Sequence, residues 1–163
     1  MHKPLCVLFV CSGNICRSPM AEYLLRDKIQ RELPNAIVAA SAGTDTDGGS
    51  SAMDVTVKVM NEIGIDVYSH RSQPVTRKLL EQCDVVLGMT REHFKTVQKY
   101  NSDGSDVTTL SAYPDRPSRD TRDIEDPFGQ SIDRYRFYRD YIAREIERIF
   151  PLLKEKALHK SRS

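Results

Sequence analysis

Leu5 to Pro19 reads LCVLFVCSGNICRSP. The first six residues, Leu5 to Val10, form a short and nearly continuous apolar run, which is typical of a strand buried on both faces. The run stops at CSGNICRS. Ser18 and Pro19 then open a helical pattern, because proline is well suited to the first turn of a helix. The sequence therefore predicts a central parallel strand, a tight loop and a helix in direct succession.

Strand and helix patterns alternate along the rest of the chain. Further strands are predicted at Ile37 to Ala40, at Val85 to Met89 and around Val107 to Leu110. Helices are predicted over 52–63 with Gly64 as a cap, at Thr76 to Gln82, over 90–100 and from Ser131 onward. This alternation predicts a doubly wound α/β sheet.

The last third of the chain contains a long segment without periodicity and one long helix. Residues 111–130 are predicted to form a surface loop, and loops of this length inside compact domains are usually functional. Pro151 is expected to kink or end the last helix, and residues 159–163 are expected to fray. A solvated face is expected for the arginines of this helix, which are Arg134, Arg136, Arg139, Arg144 and Arg148.

Composition limits the classes of function. The length of 163 residues predicts a single domain over 1–163, and the formal charge of +1 gives no overall field for nucleic acid or an anionic membrane. The apolar run at the N-terminus is too short for a membrane span, and no export signal is evident, so we expect a cytoplasmic protein with no membrane partner. The four cysteines are then expected to be reduced, and their spacing lacks the CxxC pairs of a structural zinc site. We expect no metal.

Cys11 and Arg17 are separated by five residues in the turn between the first strand and the first helix. A loop of this length can curl so that its amide N–H groups converge on an anion, to which the helix N-terminus adds its positive end. The same environment favours the thiolate, which is the nucleophilic form of cysteine. Arg17 can bind two phosphoryl oxygens, while Ser18 can donate its hydroxyl to the sulfur. The predicted phosphate-binding residues are Ser12, Gly13, Asn14, Ile15, Cys16, Arg17 and Ser18.

The same loop also has a purely structural interpretation. Cys11 and Cys16 would then be small core residues, and Gly13-Asn14 an ordinary turn. The sequence C-x5-R-S-P between a buried strand and a helix start favours the catalytic interpretation, with Cys11 as nucleophile.

A cysteine phosphatase also needs a general acid on a second segment that faces the loop. Asp126 in the 111–130 loop is the candidate, because Pro127 stiffens its backbone and Phe128 offers an aromatic wall to a substrate. Loops at the carboxyl ends of parallel strands share one edge, so this loop can reach the cysteine. Three other carboxylates of the same loop compete for the role: Asp115, Asp120 and Asp123.

With these two motifs, the sequence resembles the low-molecular-weight protein tyrosine phosphatase family. The resemblance rests on Val10 to Pro19 and on Asp126-Pro127-Phe128, with weaker matches at Ser41-Ala42-Gly43, at Ser69-His70 with Val75-Thr76, and at Val86 to Met89. It implies a three-layer fold in which helices flank both faces of a four-stranded parallel sheet. It also implies a phosphocysteine intermediate on Cys11, and Asp126 acting first as acid and then as base. Phosphorylated proteins are the implied substrates, with inorganic phosphate, vanadate or arsenate as active-site ligands and no cofactor. Cys16 is implied to be a resolving thiol that pairs with Cys11 under peroxide.

The resemblance leaves two substrates open. Gly129 to Asp133, after Phe128, resembles a bacterial branch of the family that includes protein-arginine phosphatases. Those enzymes typically have threonine at the position of Ile15, where tyrosine-directed members have isoleucine. An apolar Ile15 packs against a phenyl ring but leaves a phosphoguanidinium unpaired, at a cost of about 1 to 3 kcal/mol. Phosphotyrosine is therefore the predicted substrate, and phosphoarginine the alternative.

Two other functions share the loop. A thioredoxin-coupled arsenate reductase would need two further cysteines on a mobile segment, and only Cys83 lies beyond the loop region. A silent phosphate-binding module would not need both Cys11 and Asp126. A structural or exposed position is expected for His70 over a catalytic role, with lining the site or orienting the loop as the two functional alternatives. Cys6 and Cys83 are expected to pack in the core, and the chain is expected to be a monomer or weak dimer.

Overall fold

The computed structural model describes residues 2–100, 105–117 and 121–162. It contains four strands, which are β1 (Leu5–Cys11), β2 (Ile37–Gly43), β3 (Val85–Gly88) and β4 (Asp106–Thr109). Its five helices are α1 (Arg17–Glu32), α2 (Asp54–Asn61), α3 (Arg77–Glu81), α4 (Arg91–Tyr100) and α5 (Ile132–Ser161). These elements follow the predicted order, with ends that differ by one to three residues except in α5.

The strands form one parallel sheet in the order β2-β1-β3-β4. β1 is central, since Val7 pairs with Ala39 of β2 on one side and with Val85 of β3 on the other. One face of β1 packs in a core that includes Ile142 of α5, and the other face packs with Leu80 of α3 and Val97 of α4. The predicted three-layer fold with a four-stranded parallel sheet is confirmed.

β2 extends three residues beyond its predicted end at Ala40. Ser41, Ala42 and Gly43 continue the pairing with the last residues of β1, so both strands end beside the cysteine loop. Gly43 is required there, because a Cβ at this position would lie 2.5 Å from the Ser12 carbonyl oxygen. Because glycine has no side chain, the end of β2 can lie in direct contact with the cysteine loop.

The last helix does not end at its proline. α5 runs through Pro151 to Ser161, so the expectation that Pro151 could end the helix is wrong, and residues 159–161 belong to the helix; Ser163 lies outside the described residues. Proline removes one backbone hydrogen bond, but Phe150 and Leu153 on either side are buried in the core and hold the helix. Lys160 bonds to the Asp84 carboxylate at 2.7 Å, which fixes the last turn.

The arginines of α5 do not all belong to a solvated face. Arg139 is buried and donates to the Val59 carbonyl oxygen in the last turn of α2 and to the Glu62 carboxylate, each at 2.8 Å. Arg148 donates to the Leu110 carbonyl oxygen at the end of β4. Periodicity alone misassigned these two side chains, because carbonyl groups at the ends of other elements are available as acceptors.

The 111–130 segment is partly internal where the structure describes it. Ile124 is fully buried, and its N–H donates to the Met89 carbonyl oxygen at 2.9 Å. This contact ties the segment to the end of β3. Of the helices in 2–100, 105–117 and 121–162, none is long and apolar enough to cross a membrane.

Candidate active site

The predicted nucleophile lies in a small cleft at the carboxyl end of β1. Cys11 is 2% exposed, and its Sγ atom lies 2.9 Å from Ser18 Oγ in the first turn of α1. The cleft has a volume of about 80 Å³ and is lined by Cys11, Gly13, Ile15, Cys16, Arg17, Met53, Asp126 and Phe128. Sites that enclose whole small molecules measure about 300 Å³ or more, so this cleft suits one end of a larger substrate.

Asn14 is the centre of the hydrogen bonds that shape the loop. It adopts a left-handed backbone conformation with φ 57°, which asparagine tolerates better than most residues. Its side-chain Nδ2 donates to Ser18 Oγ at 2.8 Å and to Ser41 Oγ at 2.9 Å, and its Oδ1 accepts the Gln73 N–H at 2.9 Å. Two of these three partners are side chains, and the third is the backbone of Gln73.

The bond from Asn14 leaves the hydroxyl proton of Ser18 free for the bond to Cys11. Because the Ser18 oxygen accepts from Asn14, its single proton is available to Cys11. The Ser18 hydroxyl is therefore oriented to donate to the Cys11 sulfur. A hydroxyl donor in this position stabilises a thiolate as nucleophile and again as leaving group.

A buried carboxylate lies behind this network. Glu22 accepts from Ser41 Oγ at 2.6 Å and pairs with Arg26 at the same distance. Burial raises the pKa of Glu22, although the Ser41 hydroxyl and the Arg26 charge partly offset the effect. Glu22 was not predicted as a site residue, because its position on α1 resembles that of any acidic helix residue; only the buried Ser41 beside it marks it out.

His70 supports the loop from the side. Its ring is buried, and Nε2 lies 2.7 Å from the Asn14 carbonyl oxygen, to which a protonated Nε2 donates. Of the two functional alternatives, the contact fits orientation of the loop, and His70 is not among the residues that line the cleft.

His93 is a second histidine at the loop, and it was not predicted as a site residue. The Thr90 N–H donates to Nδ1 at 3.2 Å, so Nδ1 is unprotonated and Nε2 carries the proton. Nε2 lies 2.9 Å from Ser12 Oγ and donates to it, which leaves the Ser12 hydroxyl proton free. Burial, followed by the nearby charge of Arg17, lowers the pKa of His93 to about 4. The available signal was its place just after β3, whose carboxyl end lies beside that of β1.

Arg17 connects the cysteine loop to the segment that carries the predicted acid. Its guanidinium is buried and donates from Nη1 to the Ile124 carbonyl oxygen at 2.9 Å, while Nη2 lies 3.8 Å from Asp126 Oδ2. The Asp126 side chain is 55% exposed, and its other oxygen accepts the Phe128 N–H at 3.0 Å. Asp126 thus lines the cleft while much of its side chain is open to solvent.

The competing carboxylates lie elsewhere. Asp123 accepts the N–H of Arg91 at 3.0 Å at the start of α4, and neither Asp123 nor Asp115 lines the cleft. Asp120 lies outside the described residues. Asp126 is thus the carboxylate that the described part of the chain places at Cys11.

Cys16 also lines the cleft but is held as a thiol. Burial is the main cause that raises its pKa to about 12. The Thr56 hydroxyl lies near enough to lower the pKa of Cys16 somewhat, yet Thr56 Oγ1 is fully buried and has no partner in good hydrogen-bond geometry. The expected resolving role of Cys16 stays a prediction.

The outer wall of the cleft is apolar. Ile15 and Met53 line one side, joined by a bond from the Met53 N–H to the Ile15 carbonyl oxygen at 3.0 Å. The Phe128 ring stands at the rim and is 70% exposed. Met53 precedes α2 and carried no sequence signal, because only tertiary folding brings it to the loop. Within the described residues, no group of three or more His, Cys, Asp or Glu side chains is arranged to hold a metal ion.

Comparison with known proteins gives consistent matches over nearly the whole chain. The model of the family described as low molecular weight phosphotyrosine protein phosphatase matches residues 6–162. The protein-arginine-phosphatase of Bacillus subtilis is 35% identical over 150 residues, which cover 91% of this chain and 97% of that protein. The low molecular weight protein-tyrosine phosphatase A of Mycobacterium tuberculosis is 33% identical over 130 residues, or 78% of each chain. A solved structure of a YwlE arginine phosphatase mutant with a phosphorylated active-site serine is 34% identical, with a TM-score of 0.83 and coverage of 92% and 96%.

Proposed function

We propose that this chain, which belongs to the low molecular weight phosphotyrosine protein phosphatase family, hydrolyses phosphotyrosine in proteins through a phosphocysteine on Cys11. The observation that carries the proposal is the cleft itself. Its floor holds Cys11 beside the Ser18 hydroxyl and Arg17, and its wall is formed by Ile15, Met53 and Phe128.

In the first step, the Cys11 thiolate attacks phosphorus and the bond from phosphorus to the phenolic oxygen breaks. The loop N–H groups and the Arg17 guanidinium bind the phosphoryl oxygens and stabilise the charge that spreads over them. Asp126 gives its proton to the departing phenolate, so tyrosine leaves as a neutral phenol. Its place at the cleft beside Arg17 supports this role.

In the second step, Asp126 accepts a proton from a water molecule, whose oxygen attacks the phosphorus of the phosphocysteine. The bond between phosphorus and sulfur breaks, and inorganic phosphate is released. Ser18 donates its hydroxyl to the Cys11 sulfur as the thiolate departs, which the bond from Asn14 leaves it free to do.

The choice of phosphotyrosine rests on the wall of the cleft. Ile15 and Met53 present carbon atoms where the phosphorylated side chain enters, and Phe128 offers a ring for aromatic contact. A phosphoguanidinium in the same place brings N–H groups that need acceptors, and neither Ile15 nor Met53 has a side-chain oxygen to supply. Of the residues that the structure describes, Asp126 is the one carboxylate in the cleft lining, and the mechanism already uses it.

Phosphoarginine is the second candidate, and some of the relatives support it. The protein from Bacillus subtilis that is 35% identical to this chain is a protein-arginine-phosphatase. If this chain shares that substrate, Asp126 would serve both as acid and as partner of the guanidinium.

The test is a comparison of kcat/KM on matched phosphotyrosine and phosphoarginine peptides. We expect the native chain to prefer phosphotyrosine. Ile15→Thr should shift the ratio toward phosphoarginine by about tenfold, which corresponds to about 1.4 kcal/mol. Ile15→Val is the matched control, since valine has the shape of threonine without its hydroxyl, and it should leave the ratio nearly unchanged. A native preference for phosphoarginine would refute the substrate assignment.

The nucleophile is tested separately. Cys11→Ser should abolish turnover of p-nitrophenyl phosphate measured in the presence of a chelator. Full activity in that variant would refute the phosphocysteine mechanism while leaving the fold and the family unaffected.

A further inference from the structure

A second pair of thiols lies at the other end of β1, away from the cleft. The Sγ atoms of Cys6 and Cys83 are 3.4 Å apart, and both cysteines are free. Cys6 is five residues before Cys11 on the same strand, so the two sites are separated by about 16 Å at the usual rise of a strand. The sequence predicted that both cysteines pack in the core, but it did not predict that their sulfur atoms lie in contact.

Backbone bonds hold the two cysteine segments together. The Asp84 N–H donates to the Cys6 carbonyl oxygen at 2.9 Å, and the Cys6 N–H donates to the Asp84 carboxylate at 2.8 Å. Lys160 at the end of α5 pairs with the same carboxylate at 2.7 Å. The 3.4 Å approach of the sulfurs is therefore fixed by the fold on both sides of the pair. A disulfide needs about 2.05 Å, so the atoms must close by little more than 1 Å.

The two thiols differ in exposure and in acidity. Cys6 is half-buried, whereas Cys83 is buried and has the Leu79 carbonyl oxygen as another acceptor at 3.2 Å. When Cys6 loses its proton, the Cys83 S–H can donate to the resulting thiolate. This bond is the main cause that lowers the pKa of Cys6 and raises the pKa of Cys83, and Lys160 adds to the lowering while Asp84 and burial oppose it. The more accessible sulfur is thus the one that ionises first.

We propose that Cys6 and Cys83 form a reversible disulfide when the protein meets hydrogen peroxide, at an oxidation site separate from the catalytic loop. The Cys6 thiolate attacks one peroxide oxygen, the O–O bond breaks, and Cys6 becomes a sulfenic acid with release of hydroxide. The Cys83 sulfur then attacks the Cys6 sulfur, its proton leaves, and the sulfenic oxygen departs as water. The balance is two thiols and one peroxide to one disulfide and two waters, and a dithiol reductant reverses it.

The disulfide has a defined structural consequence. It links residue 6 to residue 83, and the chain between them includes the catalytic loop, β2 and the first three helices. A cross-link that closes a loop of this length restricts the unfolded chain strongly. Oxidation at this pair should therefore raise the melting temperature by about 5 °C or more. The disulfide between Cys6 and Cys83 leaves the Cys11 thiol unmodified, so its formation does not remove the catalytic nucleophile.

The experiment uses the full chain carrying Cys11→Ser and Cys16→Ser. Trypsin does not cleave between Lys3 and Pro4, so Cys6, Cys11 and Cys16 lie on one peptide that ends at Arg17, and the double substitution makes Cys6 its sole cysteine. The peptide from Leu79 to Arg91 contains only Cys83. After hydrogen peroxide, alkylation of the remaining thiols and digestion, mass spectrometry should find these two peptides joined, and dithiothreitol should separate them.

Control variants and a second measurement make the result decisive. Adding Cys83→Ser should abolish the joined peptide, lead to sulfinic acid on Cys6 and remove the rise in melting temperature. Fragmentation of the joined peptides from the oxidised native chain should locate the link at Cys6, and this measurement needs no substitution. The proposal would be overturned if Cys83 were recovered alkylated, with Cys6 oxidised or alkylated, and no joined peptide were found in the double variant or in the native chain. Neither result depends on which phosphorylated residue the enzyme prefers.

Discussion

His93→Gln should make the stability of the protein less sensitive to acid. Burial and the charge of Arg17 lower the pKa of His93 from 6.5 to about 4, although Asp123 and Asp126 act in the opposite direction. Between these values the unfolded chain binds a proton that the native chain does not. Stability is therefore unaffected by this group above about pH 6.5 and falls as the pH drops toward 4.

The size of the effect on the free energy of unfolding follows from the lowered pKa of His93. At about 1.4 kcal/mol per pH unit, His93 should cost the native protein up to about 3 kcal/mol at low pH, and about 2.5 kcal/mol of that by pH 4.5. This is a substantial part of the roughly 5 to 15 kcal/mol that stabilises a typical domain. Glutamine keeps a polar side chain with an N–H donor for Ser12 but does not titrate.

The assay is urea unfolding of native and His93→Gln protein at pH 7 and at pH 4.5. The native protein should lose about 2.5 kcal/mol more than the variant between the two conditions. His2→Gln is the control, since it removes an exposed imidazole near the chain start and should behave as native. Equal losses in native and His93→Gln protein would refute the assignment of a buried neutral imidazole at the catalytic loop.

Three further outcomes are expected. Asp126→Ala should slow turnover by about 10²- to 10⁴-fold for phenyl phosphates with basic leaving groups and less for p-nitrophenyl phosphate; equal losses would point to a different acid. Thr56→Val should raise the free energy of unfolding by about 1 kcal/mol in urea titrations, because it removes a buried hydroxyl that lacks a well-formed hydrogen bond. A loss of stability would mean that this hydroxyl is bonded after all. Mild peroxide should join Cys11 to Cys16, and peptide mapping that finds only sulfinic acid on Cys11 would contradict the resolving role.

The sequence predicted best what depends on neighbouring residues. The apolar run of β1, the loop that follows and the start of α1 are local features, so their succession located the nucleophile loop and the parallel sheet. The place of Asp126 at the cleft was also predicted from sequence, since loops at the carboxyl ends of parallel strands share one edge. Its role as the acid stays a prediction.

Features that depend on distant contacts were missed. His93 and Met53 reach the loop only because β3 and α2 lie beside it, and neither position has a distinctive pattern of its own. Pro151 was misjudged for the same reason, since a local rule about proline was outweighed by buried neighbours on both sides. Arg139 appeared to be a surface residue until the end of α2 supplied an acceptor for it.

The bonds around Asn14 bear on how the protein meets its ligand. Loop residues are usually ordered at the moment of binding, and the entropy lost then reduces affinity. Here the hydrogen bonds of Asn14 to Ser41 and Gln73 order the backbone of the cysteine loop in the folded protein. The conformational entropy of the loop is therefore lost during folding and not on phosphate binding. Inorganic phosphate should therefore bind as a product inhibitor with little change in the loop. Breaking the network with Asn14→Ala should weaken phosphate binding and slow turnover together, even though the Asn14 side chain is not among the groups that line the cleft.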